Sequence, residues 1–197
     1  MDSKSYALGL GIGQNLLSMG AKDINIDDFA HAIEDVLKGR PLEMDHKQAQ
    51  IIASQYIDEL DKKMTSARIK ANEEFLAQNA KNSNVVTLPS GLQYTILTEG
   101  TANGRHAKPT DQVSCHYEGW LLDGTLFDSS LQRGTPATFG VNQVIAGWTE
   151  ALQLMNEGAK WHLVIPSELA YGEQGAGGVI PPHSALIFDV QLLKILD

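Results

Sequence analysis

Six histidines and one cysteine carry the richest side-chain chemistry in the chain: His31, His46, His106, His116, His162, His183 and Cys115. No two histidines stand at H-x-H or H-x-x-x-H spacing, and a single thiol offers no thiolate cluster, so no metal site is expected. Cys115 lies inside an alternating strand pattern, where a buried, inert thiol is the expected state. No serine sits in a G-x-S-x-G elbow. The glycine-rich stretch "GEQGAGGVI" lacks the Lys-Ser/Thr of a phosphate loop, and Gly9, Gly11 and Gly13 have neither the spacing nor the preceding strand of a dinucleotide fingerprint. "DGTLFDSS" holds Asp123 and Asp128 but not the D-x-[DN]-x-[DN]-G of a calcium loop. No cofactor is therefore expected. What stands out is aromatic: Tyr117, Phe127, Trp148, Tyr171 and Phe188 come from different elements, each beside a glycine, an acid or a turn. Periodicity alone favours reading them as core, since aromatic residues dominate cores.

Composition narrows the classes further. The 197 residues are 43% hydrophobic and 20% charged, as in an ordinary soluble protein. A net charge of -9 argues against nucleic-acid and anionic-membrane surfaces, which need a basic face. No apolar run is long enough to span a bilayer. The N-terminal "MDSKSYALGLGIGQNLLSMGA" has Lys4 as its only base, Asp2 beside it, and glycines through its apolar run. It is expected to be retained rather than cleaved as a signal peptide, which with the single cysteine predicts a cytoplasmic protein.

The elements that must position these residues fall into two halves. Up to Asn84 the chain reads as helical. Tyr6, Leu10 and Leu17 share a face of a first helix with Gly9 and Gly13. "IDDFAHAIEDVLKGR" puts Phe29, Ile33, Val36 and Leu37 on one face of a second, with Asp27 as the expected N-cap and Gly39 as the stop. Neither Gly nor Pro occurs from Asp45 to Ser83, where Ile52, Tyr56, Leu60, Met64, Ala67, Ala71 and Phe75 recur at helical intervals. Such a helix would be on the order of 60 Å long. Two short helices cannot cover it, and so short a region rarely buries enough apolar surface alone. A second copy sharing one core is the favoured solution, with a hairpin folded on the C-terminal domain as the alternative. The apolar stripe thins toward Lys81, so the distal turns are expected to lie in solvent as a spacer.

From Val85 the pattern is that of strands. Leu92, Tyr94 and Ile96 alternate in one, and Val113, Cys115 and Tyr117 in the next, which turns at Asp123-Gly124. "KWHLVIP" and "ALIFDVQLLKIL" supply more, the last with Leu186, Phe188, Val190 and Leu192 on one face. One helix interrupts them, with Val144, Trp148, Ala151, Leu152 and Met155 on a single face and Gly158 closing it. The expected fold has two domains, an all-α N-terminal dimerisation domain with a very long linking helix and an α+β domain in which one helix covers an antiparallel sheet. The expected boundaries are 1–44, 45–84 and 85–197.

"VSCHYEGWLLDGTLFDSS", "QVIAGWTEAL" and "AYGEQGAGGVIPPHSALIFDVQLL", in that order, resemble the FKBP family of peptidyl-prolyl cis/trans isomerases from about Thr87 to Asp197. The resemblance implies a bent antiparallel sheet around one short helix, with the active site between them. The N-terminal extension is similar to that of the Mip-like subclass, including its cytoplasmic bacterial members, which are V-shaped homodimers joined through their N-terminal helices. Carried onto this sequence, the family's pocket falls on Tyr117, Phe127, Asp128, Val144, Ile145, Trp148, Tyr171, Ile180 and Phe188. Trp148 would be the floor, Ile145 N–H and the Tyr171 hydroxyl would meet substrate carbonyls, and Asp128 would stand at the wall with Tyr117 and Arg133. Implied partners are partly folded chains with X–Pro bonds and macrolides of the FK506/rapamycin type. Ala137 stands where many members carry an aromatic residue, and Ala176 where some carry histidine, so a more open pocket is expected. The competing reading is a non-catalytic chaperone whose dimeric helical cradle holds unfolded chains.

Overall fold

The computed structural model describes residues 1–102 and 104–196. The chain divides into two compact units, Met1–Ala67 and Arg68–Asp197.

The first unit contains α1 (Ser3–Ser18), α2 (Ile26–Lys38) and the first turns of α3 (His46–Asn79). Asp2 caps α1 by accepting from the Ser5 N–H at 2.8 Å, and Asp45 caps α3 by accepting from Gln48 N–H at 2.8 Å. The cap of α2 is Asn25 rather than the expected Asp27: its side-chain oxygen accepts from the N–H groups of Asp27 and Asp28 at 3.0 and 3.3 Å. Asp27 and Asp28 thereby occupy the first turn, where the helix dipole favours negative charge. Gly39, at φ 62°, ends α2 as expected. In this unit only Ala21 and Asp35 are buried.

The second unit is built on a seven-stranded antiparallel sheet. Its strands are β1 (Val86–Thr87), β2 (Gln93–Thr98), β3 (Gln112–Leu121), β4 (Leu126–Ser129), β5 (Ala137–Gly140), β6 (Lys160–Ile165) and β7 (Leu186–Leu196). They run in the order β1-β2-β6-β7-β3-β4, with β5 also paired to β3. The single α-helix between β5 and β6, α4 (Ala146–Leu154), buries Trp148, Ala151 and Leu152 against the sheet's Val113, Cys115, Leu163, Leu186 and Val190. The alternation read in β3 and β7 holds: Val113, Cys115, Tyr117, Leu186, Phe188, Val190 and Leu192 all point inward. Burial pushes the Cys115 thiol up to about 12, so it stays protonated and unreactive.

Two expectations need correction, and they share a cause. In β2 the polar Gln93 is buried because the end of α3 lies over this strand, while Ile96, on the other face, is exposed. Gln93 Nε2 donates to the Leu76 carbonyl at 2.9 Å, and its oxygen accepts from Asn79 Nδ2 at 2.8 Å. The turns of α3 after Arg68 are therefore packed on the sheet domain and are no solvent spacer. They dock through amides and a guanidinium at helical spacing, Arg68, Asn72 and Asn79, which an apolar stripe does not register.

Candidate active site

Trp148 lies in the first turn of α4 and is 4% exposed. Three rings stand nearly perpendicular to its indole: Tyr117 from β3 at 5.1 Å between centroids, Phe188 from β7 at 5.3 Å and Phe139 from β5 at 5.6 Å. Edge-to-face contacts of this kind are favourable and fix the rings. Phe127 from β4 extends the wall, edge-on to Phe188 at 5.5 Å. Gly119 makes that contact possible. A Cβ there would lie 2.6 Å from Phe188 and 2.7 Å from Phe127, so any side chain on β3 at this point would part the two rings. The Trp148 indole nitrogen is buried and has no hydrogen-bond partner among the described residues, so packing rather than polar contact holds this ring.

Above the indole is a cleft of about 410 Å³ lined by Tyr117, Phe127, Asp128, Phe139, Gln143, Val144, Ile145, Trp148, Tyr171 and Phe188. Its size suits a small apolar ring with flanking peptide. Ile145 is the residue before α4. Its carbonyl takes the N–H groups of Trp148 and Thr149, while its own N–H, at the positive end of the helix, has no bond among the described residues. Tyr171 comes from the loop between β6 and β7 and is 40% exposed.

The polar corner of the cleft is tightly organised. The Tyr117 hydroxyl donates to Asp128 at 2.5 Å, Arg133 donates to the other Asp128 oxygen, and a second Arg133 nitrogen donates to the Tyr117 hydroxyl at 2.8 Å. Partial burial pushes the Asp128 carboxyl up, but the hydrogen bonds of Tyr117 and Arg133 and the Arg133 charge outweigh it and hold the carboxyl below its usual range. Burial, then the bond to Asp128, pushes the Tyr117 phenol up. At neutral pH the corner is a neutral phenol, a carboxylate and a guanidinium.

Eight of the ten residues anticipated from the sequence thus line one cleft: Tyr117, Phe127, Asp128, Val144, Ile145, Trp148, Tyr171 and Phe188. Arg133 stands behind the wall, where it holds Asp128 and Tyr117. Ile180, itself in the β6–β7 loop, is buried in the hydrophobic core and is not among the residues that line the cleft. Phe139 and Gln143 were not anticipated. Phe139 had a signal, an aromatic two residues from Ala137 on the same face of β5, opposite Val113; nothing in the sequence marked Gln143.

Residues 103–193 match the family model described as FKBP-type peptidyl-prolyl cis-trans isomerase, and residues 1–96 that of the domain amino-terminal to it. The chain is 43% identical over 196 residues to an FKBP-type 22 kDa peptidyl-prolyl cis-trans isomerase of Escherichia coli, covering 98% of this chain and 94% of that one. It is 41% identical over 203 residues to the outer membrane protein MIP of Legionella longbeachae, covering 98% and 85%. Among solved structures, the crystal structure of FkpA from Escherichia coli superposes with a TM-score of 0.77 at 32% identity, covering 98% of this chain and 95% of that one.

Proposed function

The chain belongs to the FKBP-type peptidyl-prolyl cis-trans isomerases, and from that premise we propose that the cleft over Trp148 is where it turns X–Pro bonds. The barrier to rotation is about 18–20 kcal/mol, mostly lost amide resonance. A planar amide is more polar than the twisted one, so a dry aromatic cleft favours the twisted state by comparison. Trp148 is the floor for the proline ring, with Tyr117, Phe127 and Phe188 as walls and Val144 and Gln143 at the side. The unpaired N–H of Ile145 and the Tyr171 hydroxyl take substrate carbonyls and hold the peptide turned. Asp128 sets the local field. Both its oxygens are engaged and its affinity for a proton is lowered, so it is poorly suited to be a general base. Each ~1.4 kcal/mol of selective stabilisation gives a tenfold rate.

The observation that carries this reading is the buried indole framed by three perpendicular rings at the base of an open cleft. Phe127→Ala tests it, because Phe127 is only half-buried and its loss spares the fold. Catalysed isomerisation of an X–Pro tetrapeptide should fall by about ten- to a hundredfold with little change in the thermal midpoint, an effect of order ~1.4–3 kcal/mol on the barrier. Full activity in the folded variant would remove the cleft assignment. With Ala137 leaving one wall low, macrolides of the FK506/rapamycin type fit the same cleft and should compete with the peptide.

The enzyme acts as a homodimer joined through α1 and α2. Support comes from their exposed apolar residues, Leu8, Leu10, Leu17, Val36 and Leu37 among them. Two linked clefts raise the effective concentration of a partly folded chain. A chaperone that holds unfolded chains on these helices without catalysis rests on the same residues, and differs in predicting no catalysed isomerisation of the tetrapeptide by the wild-type chain. The cytoplasm is the proposed compartment, a reducing one in keeping with the single free, buried Cys115; cell fractionation checks it. No helix among the described residues is long and apolar enough to cross a membrane.

A further inference from the structure

Tyr171 reaches the cleft from a long loop, so its position depends on whatever braces that loop. The tip is closed locally: Ala176 and Ile180 exchange two backbone hydrogen bonds of 2.9 Å. Gly175, at φ 63°, lies so close under Ile180 that a Cβ would come 2.2 Å from its carbonyl oxygen. Beyond Pro181 and Pro182 comes His183, at φ 55° the one residue other than glycine in the left-handed region among the described residues, a conformation that a side chain disfavours. Its N–H donates to the Gly172 carbonyl at 2.7 Å and so closes the loop onto the residue after Tyr171. Its carbonyl accepts from the carboxamide of Asn72, a buried residue of α3, and the Pro182 carbonyl accepts from Arg68 at 2.8 Å.

We propose that Asn72 is a positioning residue for the isomerase: by holding His183 in its left-handed conformation it fixes Gly172, and through it the Tyr171 hydroxyl at the rim of the cleft. The functional body of the enzyme then begins in α3, ahead of the first strand. Arg68, half-buried, is a second tether of lesser weight, since its bond to the Pro182 carbonyl is open to solvent. A docking contact alone would lower stability and leave catalysis untouched, and this separates the two roles. The inference rests on the role given above to Tyr171.

The test is a double-mutant cycle in the full chain between Asn72→Asp, the same size but with no N–H to offer, and Tyr171→Phe. It reads kcat/KM in a protease-free assay on an X–Pro tetrapeptide, well below the thermal midpoint of each variant. Asn72→Asp should lower kcat/KM by about five- to tenfold, since small displacements of a substrate-holding group are costly. In the Tyr171→Phe background the same change should cost less than about twofold, because coupled residues are not additive. Asn72→Ala replaces Asn72→Asp should the added charge prevent folding. Wild-type kcat/KM in Asn72→Asp, or an equal loss in both backgrounds, overturns the inference. A Tyr171→Phe chain as active as wild type withdraws the role of Tyr171 and this inference with it. A wild-type chain without activity sinks the reading of the cleft itself.

Discussion

The helices before Arg68 and the sheet after it are both rich in apolar residues, yet they use them oppositely. In the sheet domain Leu92, Leu152, Met155, Leu163, Ile165, Leu186 and Leu192 are almost wholly enclosed, with Trp148 and Phe188 beside them. In the first unit Leu8, Leu37, Ile26 and Leu17 are more than half exposed, and α1 has no buried residue at all. A sheet with a helix across it covers its own apolar face, whereas short helices along part of a rod cannot. The first unit thus leaves apolar surface open, which the proposed homodimer would cover, and the second encloses its own core with one face left concave.

The largest effect should come from breaking the surface. Leu10→Glu with Val36→Glu would bury charge in the proposed dimer core, at a cost of several kcal/mol. The mass by light scattering should halve and the helical signal of the first unit should fall, while kcat/KM on a tetrapeptide stays within about twofold. A variant that kept both its helical signal and a monomeric mass would break the comparison, since the first unit would then need no partner. Next in size is Leu152→Ala, which should cost about 2–5 kcal/mol of sheet-domain stability by opening a cavity. A denaturant midpoint as in wild type would mean that α4 is not packed as described.

The smallest expected effect is on the solvent face of the sheet. Asp189 on β7 accepts from His162 at 2.7 Å and lies 3.6 Å from Lys160. The His162 bond, which outweighs partial burial, holds its carboxyl below the usual range. A depressed carboxyl contributes stability above its unfolded value, about 4, and loses it as pH falls through the folded one. Partly exposed as the pair is, its contribution to stability should be about 1 kcal/mol or less. Asp189→Asn should flatten the acid limb of the stability curve by that amount, and an unchanged limb would assign it to other carboxylates.

Most of the sheet was legible because β3, and β7 as far as Leu192, alternate and are buried on one face, so each inward residue follows from its neighbour; beyond Leu192 a register shift against β3 turns Ile195 inward instead. The cleft was legible only as a set of aromatics that periodicity would have assigned to the core. The resemblance in three long blocks, rather than spacing, separated them out. What escaped were polar contacts distant in sequence. Gln93 and Asn72 look like surface residues in their own elements, and only the partners contributed by α3 and the loop near His183 make them buried. The cap at Asn25 escaped for a local reason, since Asn25, Asp27 and Asp28 are all capable caps and the chain chooses among them by where the helical turn closes.

The central claim is that substrate rests on Trp148. Indole resonances of 15N-labelled protein distinguish Trp120, Trp148 and Trp161, and the Trp148 nitrogen, buried at the base of the cleft with no partner among the described residues, reports directly on that floor. Titration with an X–Pro tetrapeptide should shift the Trp148 signal and leave the other two nearly unmoved, in step with line broadening of the peptide's cis and trans signals. Catalysed exchange of the peptide with a stationary Trp148 signal would contradict the account.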